Sequence, residues 1–219
     1  VYPYPMDDNL STEKETIEHD ILTIENEFIK LGVMPSLGGR IYYALDKTND
    51  YMWFYKNDVV EPSLIGMVGN WISGSNAWGF PHHHGPNTVK PMDYTVEDHS
   101  DGSKTIWVAN TDKRHRMRIL VGYKIYPKSS IVEMIIKPQN RTAISNSFLF
   151  WANPSVHVDT TYQVIFPPSV QYVTQHAKRE MTTWPIADGN YNHFDYTNVD
   201  ISKWKNVVVA SSFFSWKPK

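Results

Sequence analysis

No segment of this chain shows, over about 12 residues, the 3.6-residue apolar period of an amphipathic helix. Short runs in which apolar and polar residues alternate recur instead from Thr16 to Trp216, and Pro, Gly, Asn and Asp separate them. A period of two is typical of strands that bury one face, and the separating residues favour turns. The sequence therefore predicts an all-β fold, a sandwich or barrel of about a dozen short strands.

The predicted strands cover residues 16–22, 23–31, 40–45, 51–55, 94–98, 104–110, 117–126, 130–137, 147–151, 162–166 and 170–174, with two more inside 207–216. Asp101-Gly102 is a type I′ turn signal between two of these runs. Residues 1–14 are expected to be an extended segment, and residues 15–219 a single domain. An apolar strand pair so close to Lys219 is what a domain lacking its closing elements would show; a C-terminal strand that completes the sheet is the alternative.

Charge and composition exclude several classes of partner. The formal net charge is −2 with no long run of one sign, which argues against a nucleic-acid or anionic-membrane partner. No apolar run approaches the roughly 18 residues that span a bilayer. The chain has no Cys, so disulfides and thiolate metal sites are excluded.

The histidine loop, residues 70–94, is the segment richest in candidate functional groups. His82, His83 and His84 stand between Pro81 and a Gly-Pro pair, so the segment is expected to be a stiff loop. Imidazoles exchange hydrogen bonds with sugar hydroxyls and can move protons. The same loop contains Trp78, whose indole could pack against a pyranose ring, and Asp93.

Two other interpretations of the loop stay open. The first is a metal site, but neighbouring side chains point apart, so adjacent histidines make poor ligands for one ion. Such a site would need His157, His176 or Asp93 to be brought in by the fold, and no metal is the preferred prediction. The rings could also simply hydrogen-bond to backbone in a rigid loop.

Three further residues are candidates outside the loop. His157 stands between two valines at a predicted strand end, where it is either a core histidine or faces a cavity. Arg40 begins a strand after two glycines, and its guanidinium suits vicinal hydroxyls or a carboxylate, with a surface ion pair as the alternative. Lys178 could edge a pocket or lie in a solvated turn.

Several segments together resemble the galactose-mutarotase-like (aldose 1-epimerase-like) superfamily. They include residues 35–41, 70–74, 80–84, 101–107, 140–142, 150–158, 162–167, 176–179 and 184–187, so the resemblance covers roughly residues 15–216. More closely, the chain is similar to an uncharacterised bacterial family of such domains whose longer members often carry tetratricopeptide repeats. The resemblance implies a β-supersandwich of large antiparallel sheets, a sugar cleft on its concave face and no cofactor.

The resemblance also implies roles for individual residues. The histidine loop matches the segment with the family's first sugar-binding histidine, and residues 150–158 match the segment with the acid histidine, which assigns that role to His157. In the family His follows Asn directly, whereas here Pro154 holds that position. The family's basic glutamate has no counterpart before Lys219.

The sequence thus predicts a carbohydrate-active protein that binds a mono- or oligosaccharide, with epimerase or glycoside-processing activity. A non-catalytic binding domain and a structural domain with a vestigial cleft are the alternatives. The expected substrate-binding residues are Arg40, Trp78, His82, His83, His84, Asp93 and Lys178. A Cys-free, Trp- and Tyr-rich sugar-handling chain slightly favours the periplasm or cell surface over the cytoplasm.

Overall fold

The computed structural model of the protein describes residues 2–175, 180–191, 193–208 and 213–216. The chain divides into two compact units, Val1–Val156 and His157–Lys219. Within the described ranges the regular structure is all-β, apart from single 3₁₀ turns at Pro35–Leu37, Pro86–Thr88 and Trp204–Asn206. The predicted all-β fold is confirmed. The predicted single domain over residues 15–219 stays a prediction, because the division concerns compactness alone.

The first unit contains a six-stranded antiparallel sheet and a separate hairpin. The sheet strands are β1 (Leu22–Glu25), β2 (Ile29–Met34), β3 (Arg40–Asp46), β4 (Tyr51–Met52), β7 (Asn76–Gly79) and β12 (Trp151–Pro154), and the hairpin strands are β5 (Pro62–Gly66) and β6 (Gly69–Ile72). The order in the sheet is β1-β2-β3-β7-β12, with β4 paired to β3. The prediction that residues 70–94 form a loop is correct only in part, because this segment includes β7, most of β6 and the start of β8 (Asp93–Asp98). Residues 73–75 and 80–92 of the histidine loop are outside strands.

The second sheet of this unit is a four-stranded meander. Its strands are β8 (Asp93–Asp98), β9 (Lys104–Asp112), β10 (Met117–Ile125) and β11 (Val132–Asn140), in the order β11-β10-β9-β8. Along β9 and β10 the apolar residues alternate, so that Ile106, Val108, Ile119 and Val121 point to one face and are fully buried. They pack with Ile29, Leu31 and Val33 of β2 into one hydrophobic core, which makes this unit a β-sandwich.

The second unit has its own small core. Its strands are β13 (Tyr172–Gln175), β14 (Met181–Thr183), β15 (Asn190–Tyr191), β16 (Phe194–Asp195) and β17 (Phe213–Trp216). A three-stranded sheet has the order β14-β13-β17, and β15 pairs with β16. Val173, Ala187, Tyr196 and Ile201 form the buried cluster.

The strand predictions are correct in the longest runs and fail in several shorter ones, including residues 53–55 and 147–150. Residues 40–45, 94–98, 104–110 and 117–125 are strands as predicted. Residues 16–21 and 164–166 are not in strands. The predicted type I′ turn is also corrected: Gly102 has φ 80° but Asp101 has no positive φ, and a type I′ turn requires both.

The N-terminal segment joins the first unit at Asp7. Its amide donates to the carbonyl of Val68 (2.6 Å), and its own carbonyl accepts from the amide of Asn70 (2.9 Å). The Asp7 carboxylate also pairs with Lys90 at 2.8 Å. Both ends of the histidine loop are thereby connected to the N-terminal segment. In the described part of the chain, no helix has the length and apolar character to cross a membrane.

Candidate functional site

Arg40 lies in the interior and holds the histidine loop. Gly38 and Gly39, at φ 71° and 61°, turn the chain into β3, and the side chain that follows is only 2% exposed. Its guanidinium donates to the carbonyl oxygens of Leu37 (3.0 Å), Ile72 (3.0 Å), Gly74 (3.5 Å) and Thr88 (3.0 Å). Three of these carbonyls belong to the histidine loop. The structure therefore corrects the predicted sugar contact, because backbone carbonyls take the donors of Arg40.

The buried guanidinium of Arg40 keeps its positive charge. Desolvation lowers the pKa of Arg40 to about 10, and the nearby Tyr123 and Tyr42 hydroxyls oppose that shift. Arg40 is therefore protonated at neutral pH and retains all its donors.

The three consecutive histidines have three different surroundings. His83, in the left-handed region at φ 46°, is exposed. The His82 ring lies 4.7 Å from the ring of His115, centroid to centroid. The His84 ring lies 5.0 Å from that of Trp71 and 4.9 Å from that of Trp151. The side chains thus diverge, as expected for neighbouring residues.

His82 belongs to a small polar cluster beside the N-terminal segment. Nδ1 of His115 lies 2.9 Å from Oδ1 of Asp112, which is 4% exposed. The hydroxyl of Tyr4 donates to Oδ2 of Asp112 at 3.4 Å. Burial, then the charges of His115 and His83, lower the pKa of His82. The cavity there is lined by His82 and His115 but holds only about 10 Å³, so it has no room for a sugar.

His84 lies in the aromatic cluster, which comprises Trp71, His84 and Trp151. Both indoles meet the imidazole edge to face, at interplanar angles of 63° and 85°. All three side chains are half-buried. Nδ1 of His84 is enclosed and makes no hydrogen bond within the described residues, which leaves Nε2 as the nitrogen available to a ligand. Burial, followed by the charge of His83, lowers the pKa of His84, so the ring is neutral at pH 7.

Strand pairing positions the indole of Trp151. This residue is opposite Gly79 in the antiparallel pair of β12 and β7. Its Nε1 donates to the carbonyl of His83 at 3.1 Å. A Cβ at Gly79 would lie 2.3 Å from that Nε1 atom, so only glycine leaves space for the indole. The amide of Met67 also donates to the carbonyl of His84, at 2.9 Å.

Trp78 is part of the core rather than of the cluster. It is 1% exposed and stacks on Phe150, with ring centroids 6.0 Å apart. The structure therefore corrects its predicted role, because neither face of this indole is open to a ligand. Trp71 and Trp151, whose indoles are half-buried, are not among the residues that the sequence predicted to bind a ligand.

Asp93 is on a different surface of the first unit. It is exposed at the start of β8 and lines an open groove of about 430 Å³ on the β8–β11 sheet. That groove shares no lining residue with the cavity at His82. The structure therefore does not bring Asp93 and the His82 pocket together in one cavity.

The remaining predicted residues belong to the second unit. His157 is its first residue and is exposed, outside any strand. Its acid role stays a prediction. His176 and Lys178 lie outside the described residues. Among the residues that the structure describes, no group of three or more His, Asp or Glu side chains is arranged to hold a metal ion.

Comparison with known proteins gives two findings. The sequence profile of a family described as "Domain of unknown function (DUF5107)" matches residues 1–217. The fold is similar to that of a TPR-domain containing protein from Parabacteroides distasonis, with a TM-score of 0.78 and 20% sequence identity. The similarity covers 84% of this chain and 32% of the other, so the chain spans about a third of that protein's length. At this identity the likeness concerns the fold alone.

Proposed function

The chain belongs to the DUF5107 family, and we propose that it is a saccharide-binding domain whose ligand contacts the aromatic cluster. The observation that carries the proposal is the contact of both Trp71 and Trp151 with the neutral imidazole of His84, at centroid distances of 5.0 and 4.9 Å. Sites for small ligands combine aromatic walls with a few well-placed polar groups.

The chemistry of the three rings suits a sugar. The C–H groups of a pyranose form an apolar patch that packs on an indole, while its hydroxyls need hydrogen-bond partners. A neutral imidazole offers one nitrogen as donor and the other as acceptor. Nε2 of His84 can therefore exchange a hydrogen bond with a hydroxyl of a sugar that contacts Trp71 or Trp151.

The rings are also held in place before any ligand arrives. Trp151 is fixed by its hydrogen bond to the carbonyl of His83 and by the space above Gly79. Arg40 fixes the loop through Ile72, next to Trp71, and through Thr88. A preorganised surface loses less conformational entropy on binding, which favours the weak contacts that a sugar makes.

The sequence resemblance supports the same ligand class. Two of the segments that resemble galactose-mutarotase-like domains are residues 80–84 and 150–158. The aromatic cluster takes His84 from the first and Trp151 from the second. The proposal is restricted to binding, because the geometry that supports it is the contact of His84 with the two indoles.

Calorimetry with a panel of neutral mono- and disaccharides at millimolar concentration tests the proposal. We expect at least one sugar to bind, and Trp71→Ala and Trp151→Ala each to weaken it by about tenfold or more. His84→Phe keeps an aromatic ring but removes Nε2, so it should weaken sugar binding. It also keeps the proposal testable if either tryptophan-to-alanine variant fails to fold.

Trp204→Ala is the matched control, since this indole is 43% exposed and lies in the second unit. It should leave the affinity unchanged. Absence of binding by every sugar would refute the proposal. So would unchanged affinity in folded Trp71→Ala and His84→Phe variants.

A further inference from the structure

We propose that the outer face of the β8–β11 sheet is a second binding site, for a saccharide unit that bears a carboxylate, such as a uronic acid. This site is independent of the aromatic cluster. It consists of the groove of about 430 Å³ that Asp93 lines, a volume within the range of small-ligand sites.

The register of the four strands determines which side chains meet on this face. Directly paired residues of an antiparallel sheet point to the same side. Trp107 is therefore between Thr95 and Gly122, and Ala109 is between Asp93 and Leu120. The small side chain of Ala109 forms the floor, and larger residues on all sides form the walls.

Trp107 is the fixed wall of the groove. Its ring lies over Gly122, where a Cβ would come within 2.7 Å of the indole. Its Nε1 donates to Oε2 of Glu97 at 2.9 Å. Nζ of Lys137 lies 4.4 Å from the ring centroid, a cation–π contact that holds the ammonium at the groove.

The two cations of the groove, Arg118 and Lys137, form no salt bridge with any residue that the structure describes. Arg118 is paired across the strands with Gln139 and Thr111, and Lys137 is paired with Leu120. None of these partners is acidic, and among the described residues no salt bridge involves Arg118 or Lys137. Two cations that line one groove and form no direct ion pair favour an anion on their side of it, and a guanidinium suits the two oxygens of a carboxylate.

The opposite wall restricts which anion can bind. Asp93 and Glu97 line the β8 side of the same groove. Their charges disfavour a polyanion such as a nucleotide, whereas a carboxylate of Asp93 accepts hydrogen bonds from hydroxyl groups. A uronic acid meets both requirements, with its carboxylate towards Arg118 and Lys137 and its hydroxyls towards Asp93 and Thr95.

Titrations followed by ¹H–¹⁵N NMR test the proposal, with galacturonate and glucuronate as ligands and galactose, glucose and acetate as comparisons. The uronates should shift the amide signals of residues 93–97, 107–109, 118–120 and 137. Arg118→Gln and Lys137→Met should each weaken this binding by about tenfold. Ala109→Leu should abolish it by filling the floor. Higher salt should also weaken it, because the groove is open to solvent.

Two controls keep the outcome specific. Lys104→Gln removes a cation that is on the same sheet but already pairs with Asp98 at 3.4 Å, and should have no effect. Trp71→Ala should leave uronate binding intact, which separates this site from the aromatic cluster. The proposal is overturned if galactose or acetate shifts the same signals with equal affinity, or if uronate affinity survives Arg118→Gln in the folded protein.

Discussion

The guanidinium of Arg40 donates a 3.0 Å hydrogen bond to the carbonyl of Thr88, which lies 48 residues further along the chain. Together with its bonds to Ile72 and Gly74, this contact makes one side chain the anchor of both ends of the histidine loop. Loops carry function when a rigid scaffold positions them. Here the scaffold is strand β3, and the buried guanidinium of Arg40 connects it to the histidine loop through hydrogen bonds to backbone carbonyls.

Replacing Arg40 by Met should destabilise the first unit by about 3 kcal/mol or more, because four carbonyls lose their donor, three of them in buried hydrogen bonds. Arg40→Lys keeps the charge but cannot reach all four acceptors, so it should recover only part of the loss. Urea unfolding measures both. Arg141→Gln, at an exposed position, should change stability by less than about 0.5 kcal/mol. If Arg40→Lys were as stable as the unmodified protein, the planar arrangement of donors on the guanidinium would not be what stabilises the loop.

Gly79→Ala should disturb the aromatic cluster directly. The added methyl would lie 2.3 Å from Nε1 of Trp151 and 2.6 Å from the carbonyl oxygen of His83, so their hydrogen bond must break or lengthen. We expect a loss of about 1–3 kcal/mol of stability. Sugar affinity should fall by about tenfold. Gly189→Ala is the control, since nothing lies within 4 Å of its Cβ position. Equal behaviour of the two variants would contradict the assignment.

The Trp78→Phe variant tests whether Trp78 belongs to the core or to the sugar-binding surface. Trp78 is 1% exposed, so the smaller ring should leave a cavity and cost about 2 kcal/mol in stability. Sugar affinity measured at a temperature where the variant is folded should match that of the unmodified protein. A selective loss of affinity with unchanged unfolding would return Trp78 to the binding surface.

Acidification should destabilise the protein through His84. Because burial lowers the pKa of His84 below its ordinary value of 6.5, the unfolded chain takes up a proton at higher pH than the folded one. The resulting stability is fully present above pH 6.5 and is lost as the pH falls towards the folded pKa. His84→Phe should reduce the decrease in the urea midpoint between about pH 7 and 5. His157→Asn, at an exposed position, serves as the control. If the urea midpoint of His84→Phe decreased with pH as much as that of the unmodified protein, the prediction would be wrong.

Polarimetry of glucose and galactose mutarotation tests the acid role of His157. If the protein accelerates mutarotation above the buffer rate, His157→Asn should abolish the acceleration while sugar affinity stays within about tenfold. Acceleration that persists in the variant would assign the acid to another residue.

The sequence is informative about the fold where the strands are long and half-buried. From Met117 to Ile125 every second residue has its side chain in the core, because one face of this strand meets the core. Residues 16–21 also alternate, yet they form no strand. An alternating pattern indicates that a segment favours an extended conformation. A strand also requires a neighbouring strand with which to form hydrogen bonds, and a single segment cannot specify that neighbour.

The site was only partly predictable for a related reason. The histidine loop is visible in sequence because prolines and imidazoles are concentrated there. Which indole is buried is not visible, since Trp78 and Trp151 face opposite sides of neighbouring strands and their register is set by long-range pairing. The buried role of Arg40 could not be predicted for the same reason. Its acceptors are backbone carbonyls of distant residues, and every residue type has such a carbonyl.

The order of the strands has a consequence for how the binding surface comes into being. β8 to β11 are consecutive and pair with their sequence neighbours, so this meander can form early at little cost in loop closure. β12 pairs with β7 only across the intervening meander, and His83 and Trp151 are 68 residues apart. We therefore expect Trp151 to dock last, so that a growing chain gains its aromatic cluster only once the whole first unit has emerged and closed.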